Sequence, residues 1–140
     1  IRQSSEEFAN ALISGLTESG VDVVDIGLCG TECVYFATAT LGLDGGVMVT
    51  ASHNPPDYNG LKFVREQAKP VSGDNGLQEI RKLAEAGEFT DPARLGKVEA
   101  EDIRQPWRDH VLSYVAGSKL ESLSIVCNAG NGGAERASSF

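Results

Sequence analysis

Long apolar runs are missing from these 140 residues, and none approaches the roughly 18 consecutive apolar positions that a membrane-spanning helix requires. No basic segment leads into an apolar h-region either, so these residues encode neither a membrane span nor a secretion signal. Basic clusters are also missing. Lys and Arg number 12 against 20 Asp and Glu, the net charge is −8, and no stretch of about five Lys or Arg occurs. That balance excludes a surface built to neutralise nucleic-acid phosphates, although an acidic protein can still hold a phosphate locally. Cysteine is sparse and odd in number: Cys29, Cys33 and Cys127. No second Cys/His pair accompanies Cys29 and Cys33 at zinc spacing, which favours reduced thiols in a cytoplasmic protein over a metal or redox role. The two histidines, His53 and His110, are too few for a dedicated metal cage.

What is present reads as α/β. Hydrophobic residues make up 41%, enough for one compact domain, or for one domain and the opening of another. Phe8, Leu12 and Leu16 recur with helical period over residues 4–19, with Ser4-Ser5-Glu6-Glu7 as the capping site and Gly20 as the stop. Residues 21–28 read as a strand, and residues 32–41 as a helix capped by Thr31. Residues 47–50 read as a short strand covered on both faces. Strand, helix and strand with short links is the rhythm of a parallel sheet. Residues 61–64 add a further strand, an antiparallel edge entered through a tight Asn59-Gly60 turn. A helix is expected over 73–87 with Leu77, Ile80 and Leu83 on its apolar face, and a surface loop over 89–96. A last helix over 102–115 takes Pro106 near its first turn and docks through Trp107, Val111, Leu112 and Tyr114. Residues 123–127 have the composition of a buried strand, followed by the glycine-rich turn Asn128-Ala129-Gly130-Asn131-Gly132-Gly133-Ala134. That turn lacks the spacing of a P-loop or dinucleotide fingerprint. The sequence starts at Ile1 without a methionine and stops at Ser138-Ser139-Phe140 with no terminator, so the expectation is a truncated chain. Residues 1–117 would form one α/β domain and residues 118–140 the start of a second.

The stretch Val49-Thr50-Ala51-Ser52-His53-Asn54-Pro55-Pro56 carries the candidate chemistry. Ser52 falls just past the end of a strand, the edge where open α/β sheets bind ligands. The two prolines stiffen the loop, as positioning of a nucleophile requires. If residues 61–64 return beside the first strand, Lys62 comes back towards Ser52. A hydroxyl, an imidazole and an ammonium would then share one cleft: carrier, proton exchanger and charge stabiliser. The plainer alternative is an ordinary polar turn with a solvated lysine, and spacing alone leaves both open. The setting of Ser52 is not the Gly-x-Ser-x-Gly of a hydrolase elbow, so a Ser-His-Asp triad finds little support.

The segment Thr50-Ala51-Ser52-His53-Asn54-Pro55, continuing into Asp57-Tyr58-Asn59-Gly60-Leu61-Lys62, closely resembles the phosphoserine loop of the α-D-phosphohexomutases, the phosphomannomutase and phosphoglucomutase family. Gly30-Thr31-Glu32, Leu41-Gly42-Leu43-Asp44-Gly45-Gly46 and Pro70-Val71-Ser72-Gly73-Asp74 extend the resemblance to bacterial phosphomannomutases, and Gly130-Asn131-Gly132 resembles the start of that family's second domain. The resemblance implies a mixed, mostly parallel sheet with flanking helices, the first domain of a phosphohexomutase. It implies a phosphoryl relay between hexose 6-phosphate and hexose 1-phosphate through a hexose 1,6-bisphosphate. Ser52 would be the carrier and a ligand of Mg²⁺, His53 and Lys62 the other catalytic groups, and Asn54 and Arg2 substrate-binding residues. The family's Asp-Gly-Asp-x-Asp metal loop, its sugar-recognition loop and its phosphate-clamping loop do not occur here, so the chain alone is expected to be inactive without the remaining domains. The alternatives are a glucose or glucosamine phosphate mutase of the same family, a non-catalytic sugar-phosphate-binding domain, and a purely structural module.

Overall fold

The computed structural model describes residues 2–89 and 91–128. The chain runs α1 (Ser5–Glu18), β1 (Val23–Asp25), α2 (Thr31–Thr40), β2 (Gly45–Val49), β3 (Leu61–Arg65), α3 (Gln78–Ala86), β4 (Val98–Ala100) and α4 (Arg104–Ser113). The class is α/β with strands of both directions flanked by helices. β2 and β3 are antiparallel, with Val47 opposite Phe63, Met48 opposite Lys62 and Val49 opposite Leu61. β1 and β4 are parallel, with Val23 opposite Val98 and Asp25 opposite Ala100.

The core lies where α2 crosses β2 and β3. Val34, Ala37 and Thr38 are three and four positions apart, so they form one face of α2 and are buried with Val64 of β3. Thr38 is 1% exposed and satisfies its hydroxyl by donating to the Val34 carbonyl at 2.8 Å. Gly46 permits this close approach: a Cβ there would sit 2.2 Å from Thr38 Oγ1, 3.0 Å from Val34 Cγ1 and 3.2 Å from Val64 Cγ2. The last turn of α1 closes through the Gly20 amide on Thr17 O and the Val21 amide on Leu16 O, with Gly20 at φ 83° in the left-handed region.

Several expectations are corrected. The capping groups differ: Gly30, not Thr31, precedes α2, and Ser4 makes no side-chain cap on α1. β1 does not pair with β2 as the strand-helix-strand rhythm suggested. Its parallel partner is β4, a strand the sequence reading passed over because Val98-Glu99-Ala100 is short and carries a charge. The pairing is fastened from outside the ladder. Asp22 accepts both guanidinium nitrogens of Arg94 at 2.8 and 2.7 Å and the Lys97 amide at 2.8 Å. Gly96 donates to Thr17 O at 2.8 Å where a Cβ would lie 1.9 Å from Val21 O. The helix expected over 73–87 is regular only from Gln78, because Asn75 (φ −140°) and Gly76 (φ 135°) break the first turn into an irregular π-type turn, Gly73–Leu77.

α4 docks through Trp107 and His110 on Phe36, with ring centroids 5.3 and 5.0 Å apart, whereas Val111, Leu112 and Tyr114 remain exposed. Residues 123–127 form no strand and are exposed, Val126 to 96%. A β-forming run needs a ladder partner, and among the described residues none lies beside it. The glycine-rich turn at 129–134 lies outside the described residues.

Candidate active site

β2 ends at Val49 and β3 begins at Leu61, so residues 50–60 form a long loop, not the tight two-residue turn expected at Asn59-Gly60. Its neck is closed by the Thr50 amide on Gly60 O at 2.8 Å. Inside the loop the Ser52 amide donates to Thr50 Oγ1 at 3.1 Å. The Asn54 amide and its Nδ2 both donate to Ala51 O, at 3.1 and 2.9 Å. Tyr58 N–H reaches Pro55 O at 3.0 Å. These bonds hold Ser52 at φ 54°, left-handed for a residue with a Cβ, and present its side chain as exposed. Thr50 and the carboxamide of Asn59, which donates to Ser4 and Ser5 Oγ at 3.2 Å each, are structural members of the site that the sequence reading missed. The Thr50-x-Ser52 spacing, a hydroxyl two residues before the amide it accepts, was the available signal for the first.

Ser52 and Asn54 line an open cleft of about 1380 Å³. Ser5, Thr31 and Arg104, the first residues of α1, α2 and α4, line the same cleft, so three helix N-termini open on it. The positive end of a helix dipole favours an anion at about 0.3–1 kcal/mol per terminus, and at α4 the Asp102 carboxylate already takes the Arg104 amide at 3.0 Å. Arg104 is engaged with Asp102, at 2.8 and 2.5 Å, and its guanidinium draws the Asp102 carboxyl down to about 2.

Arg2 is half-buried and directs its guanidinium at the loop. Nη1 donates to Asn54 O at 2.5 Å and to Pro55 O, with a longer contact to Tyr58 O at 3.4 Å, and Nη2 donates to Ser52 O. Lys62 stands opposite Met48 and shares its face of the β2–β3 pair; Met48 lines the cleft. Among the described residues no hydrogen bond or ion pair joins Lys62 or His53 to Ser52, and both side chains are exposed. The structure thus brings Ser52, Asn54 and Arg2 into one bonded group and leaves the side chains of His53 and Lys62 outside it.

Cys29 and Cys33 also face the cleft, but as thiols. Burial, then the neighbouring Cys33, Asp25 and Glu32, push Cys29 up to about 11, and burial likewise raises Cys33. A protonated thiol is a poor nucleophile, which leaves the Ser52 hydroxyl as the exposed nucleophilic group at the strand end. The Mg²⁺ implied by the resemblance finds no cage here: among the described residues no three His, Cys, Asp or Glu side chains cluster to hold a metal, and Ser52 Oγ offers one oxygen. Among the described residues no helix is long and apolar enough to cross a membrane.

Comparison with known proteins follows the same geometry. The family model described as phosphoglucomutase/phosphomannomutase, alpha/beta/alpha domain I, matches residues 1–91. A phosphomannomutase of Salmonella typhimurium is 52% identical over 136 residues, covering 96% of this chain and 30% of that protein. A protein of Xanthomonas campestris named for phosphohexose mutases is 51% identical over 138 residues, with the same coverages. The solved structure of a phosphoglucomutase/phosphomannomutase family protein from Burkholderia thailandensis superposes with a TM-score of 0.70 at 33% identity, covering 80% of this chain and 25% of that one. The chain spans about 30% of the length of the curated relatives it matches. With a family model across residues 1–91 of its 140, the chain belongs to the phosphoglucomutase/phosphomannomutase family.

Proposed function

We propose that this chain supplies the phosphoryl-carrying serine of a phosphohexomutase that interconverts hexose 6-phosphate and hexose 1-phosphate, with mannose phosphates as the substrates. One observation carries the reading: Ser52 stands in a left-handed turn just past β2, beside a cleft on which the N-termini of α1, α2 and α4 open. The names of relatives at 49–52% identity, among them phosphomannomutases of Salmonella and Escherichia coli, support mannose over glucose or glucosamine phosphates.

In the forward step the Oγ–P bond of phosphorylated Ser52 breaks and a new O–P bond forms to the free hydroxyl of the sugar phosphate. The hydroxyl proton leaves to a base, for which His53 is the adjacent imidazole. The resulting hexose 1,6-bisphosphate turns over, its other phosphoryl group returns to Ser52 Oγ, and a proton returns to the product. Positioning and electrostatics are the main levers on such a transfer, so the helix N-termini and the ammonium of Lys62 act by offsetting charge on the phosphoryl oxygens. Asn54 holds the loop through Ala51 O, and substrate contact is the further role proposed for it. Mg²⁺ would neutralise phosphoryl charge, with Ser52 the ligand proposed from this chain and the others supplied by the remaining domains. The proposal places domain I in residues 1–117 and the start of domain II in 118–140, holds the chain alone to be inactive, and sets the protein in the cytoplasm.

The test is to incubate the full-length protein with glucose 1,6-bisphosphate and Mg²⁺ and map phosphate by mass spectrometry. Label on Ser52 is expected; label elsewhere, or none, refutes the relay. A Ser52→Ala variant is expected to lose turnover of mannose 1-phosphate, and near-unchanged turnover would refute Ser52 as carrier.

A further inference from the structure

The geometry points to Arg2 as the positioning residue of the Ser52 loop, acting through the backbone and not on substrate. This rests on the reading of Ser52 as phosphoryl carrier and assigns what holds it.

The loop is rich in acceptors and short of donors. Pro55 and Pro56 have no N–H, and the internal donors, the Asn54 amide and carboxamide and the Tyr58 amide, are spent on Ala51 O and Pro55 O. The carbonyls of Ser52, Asn54 and Pro55 all accept from one guanidinium, and gathering three acceptors around one group is favourable only when that group is a cation. Arg2 is that cation. Its two terminal nitrogens divide the task, Nη2 taking Ser52 O and Nη1 taking Asn54 O and Pro55 O. A planar fork with several fixed N–H directions can do this, whereas the point charge of a lysine cannot.

The bond to Ser52 O matters most, because it grips the peptide unit that follows the residue at φ 54°. Rotating Ser52 back to the common negative φ would swing that carbonyl off the guanidinium and turn the Cβ, and with it Oγ, to a new direction. The adjoining chain reinforces the grip. The Gln3 amide donates to Pro56 O at 3.3 Å, and Ser4 and Ser5 take the Asn59 carboxamide, so residues 2–5 bind the loop at both of its shoulders. Both terminal nitrogens of Arg2 are directed at loop carbonyls, so its effect on catalysis passes through the orientation of Ser52.

The experiment uses the full-length protein with Arg2→Ala and Arg2→Lys, assayed with mannose 1-phosphate and by the rate of Ser52 phosphorylation from glucose 1,6-bisphosphate. Loss of placement without loss of substrate contact predicts kcat down by about 100-fold with KM within about threefold. Arg2→Lys should recover less than about a tenth of the lost rate, because it restores charge without the fork. Free guanidinium ion at millimolar concentration should raise the Arg2→Ala rate at least about tenfold. Amide hydrogen exchange should accelerate over residues 51–58 and stay unchanged in α2 and β3.

A KM rise with kcat preserved, full recovery by lysine, or unchanged exchange in the loop would overturn the inference. If Arg2→Ala fails to fold, Arg2→Lys, which keeps the charge and most of the stem, gives the same kcat, KM and exchange readouts. The two readings fail separately. Wild-type protein without phosphate on Ser52 refutes the carrier, while wild-type loading with Arg2 variants loading equally fast refutes the clamp alone.

Discussion

Substituting Gly46 by alanine adds one methyl group at the tightest contact of the core, and its cost follows from the neighbours. The new carbon would lie 2.2 Å from Thr38 Oγ1, so the hydroxyl must move, and the Val34 and Val64 methyls at 3.0 and 3.2 Å leave little room for the strand to shift instead. Overpacking of this kind costs about 1–3 kcal/mol. Turning Thr38 away also breaks its bond to Val34 O, stranding a buried hydroxyl at about a further 1 kcal/mol. Against this, alanine in place of a strand glycine recovers about 0.5–1 kcal/mol of backbone entropy. The net is a loss of about 2 kcal/mol. With a urea slope of about 2 kcal/mol/M, the unfolding midpoint followed by circular dichroism should fall by about 1 M. In a Thr38→Ala background the clashing oxygen is gone, and adding Gly46→Ala should cost less than about half as much. An unchanged or higher midpoint for Gly46→Ala, or the same penalty in both backgrounds, would refute the packing argument.

Two further outcomes are expected. The Arg94 guanidinium and the Lys97 amide hold the Asp22 carboxyl well below the usual carboxylate range, so its contribution is present above about pH 4 and is lost as the pH falls through the folded-state value. Asp22→Asn should therefore flatten the acid limb of a stability-versus-pH curve, and an unaltered limb would remove Asp22 from the account. Iodoacetamide at neutral pH should modify exposed Cys127 at least about tenfold faster than Cys29, whose half-buried thiol is pushed up to about 11; equal rates by peptide mass spectrometry would contradict that shielding.

The sequence was most legible where one residue's chemistry decides local structure. Phe8, Leu12 and Leu16 announce α1, and Gly20 its end. The β-branched run before Ser52 announces β2, and the return of residues 61–64 announces β3. It was opaque where the deciding partner is remote. Val98-Glu99-Ala100 becomes a strand because β1 and the Asp22–Arg94 pair lie alongside, and residues 123–127, with the better composition, have no such neighbour among the described residues and are exposed. The site divides in the same way. The position of Ser52 past a strand end is a local inference, but the destination of the Arg2 side chain depends on a loop about fifty residues further on. Ser4 and Ser5 illustrate the error that results, since hydroxyls read as a helix cap take the Asn59 carboxamide instead.

The parallel pairing of β1 with β4 also bears on the order in which the molecule assembles. The Lys97-to-Asp22 bond closes a separation of 75 residues, whereas α2, β2 and β3 all fall within residues 31–65. Closing the longer loop costs more chain entropy, and topology of this kind slows the step that depends on it. The α2–β2–β3 unit that displays the Ser52 loop is thus expected to form early, with β4 joining it afterwards. A lesion in residues 94–100 should accordingly delay or undo the outer strand pair while leaving the serine loop folded.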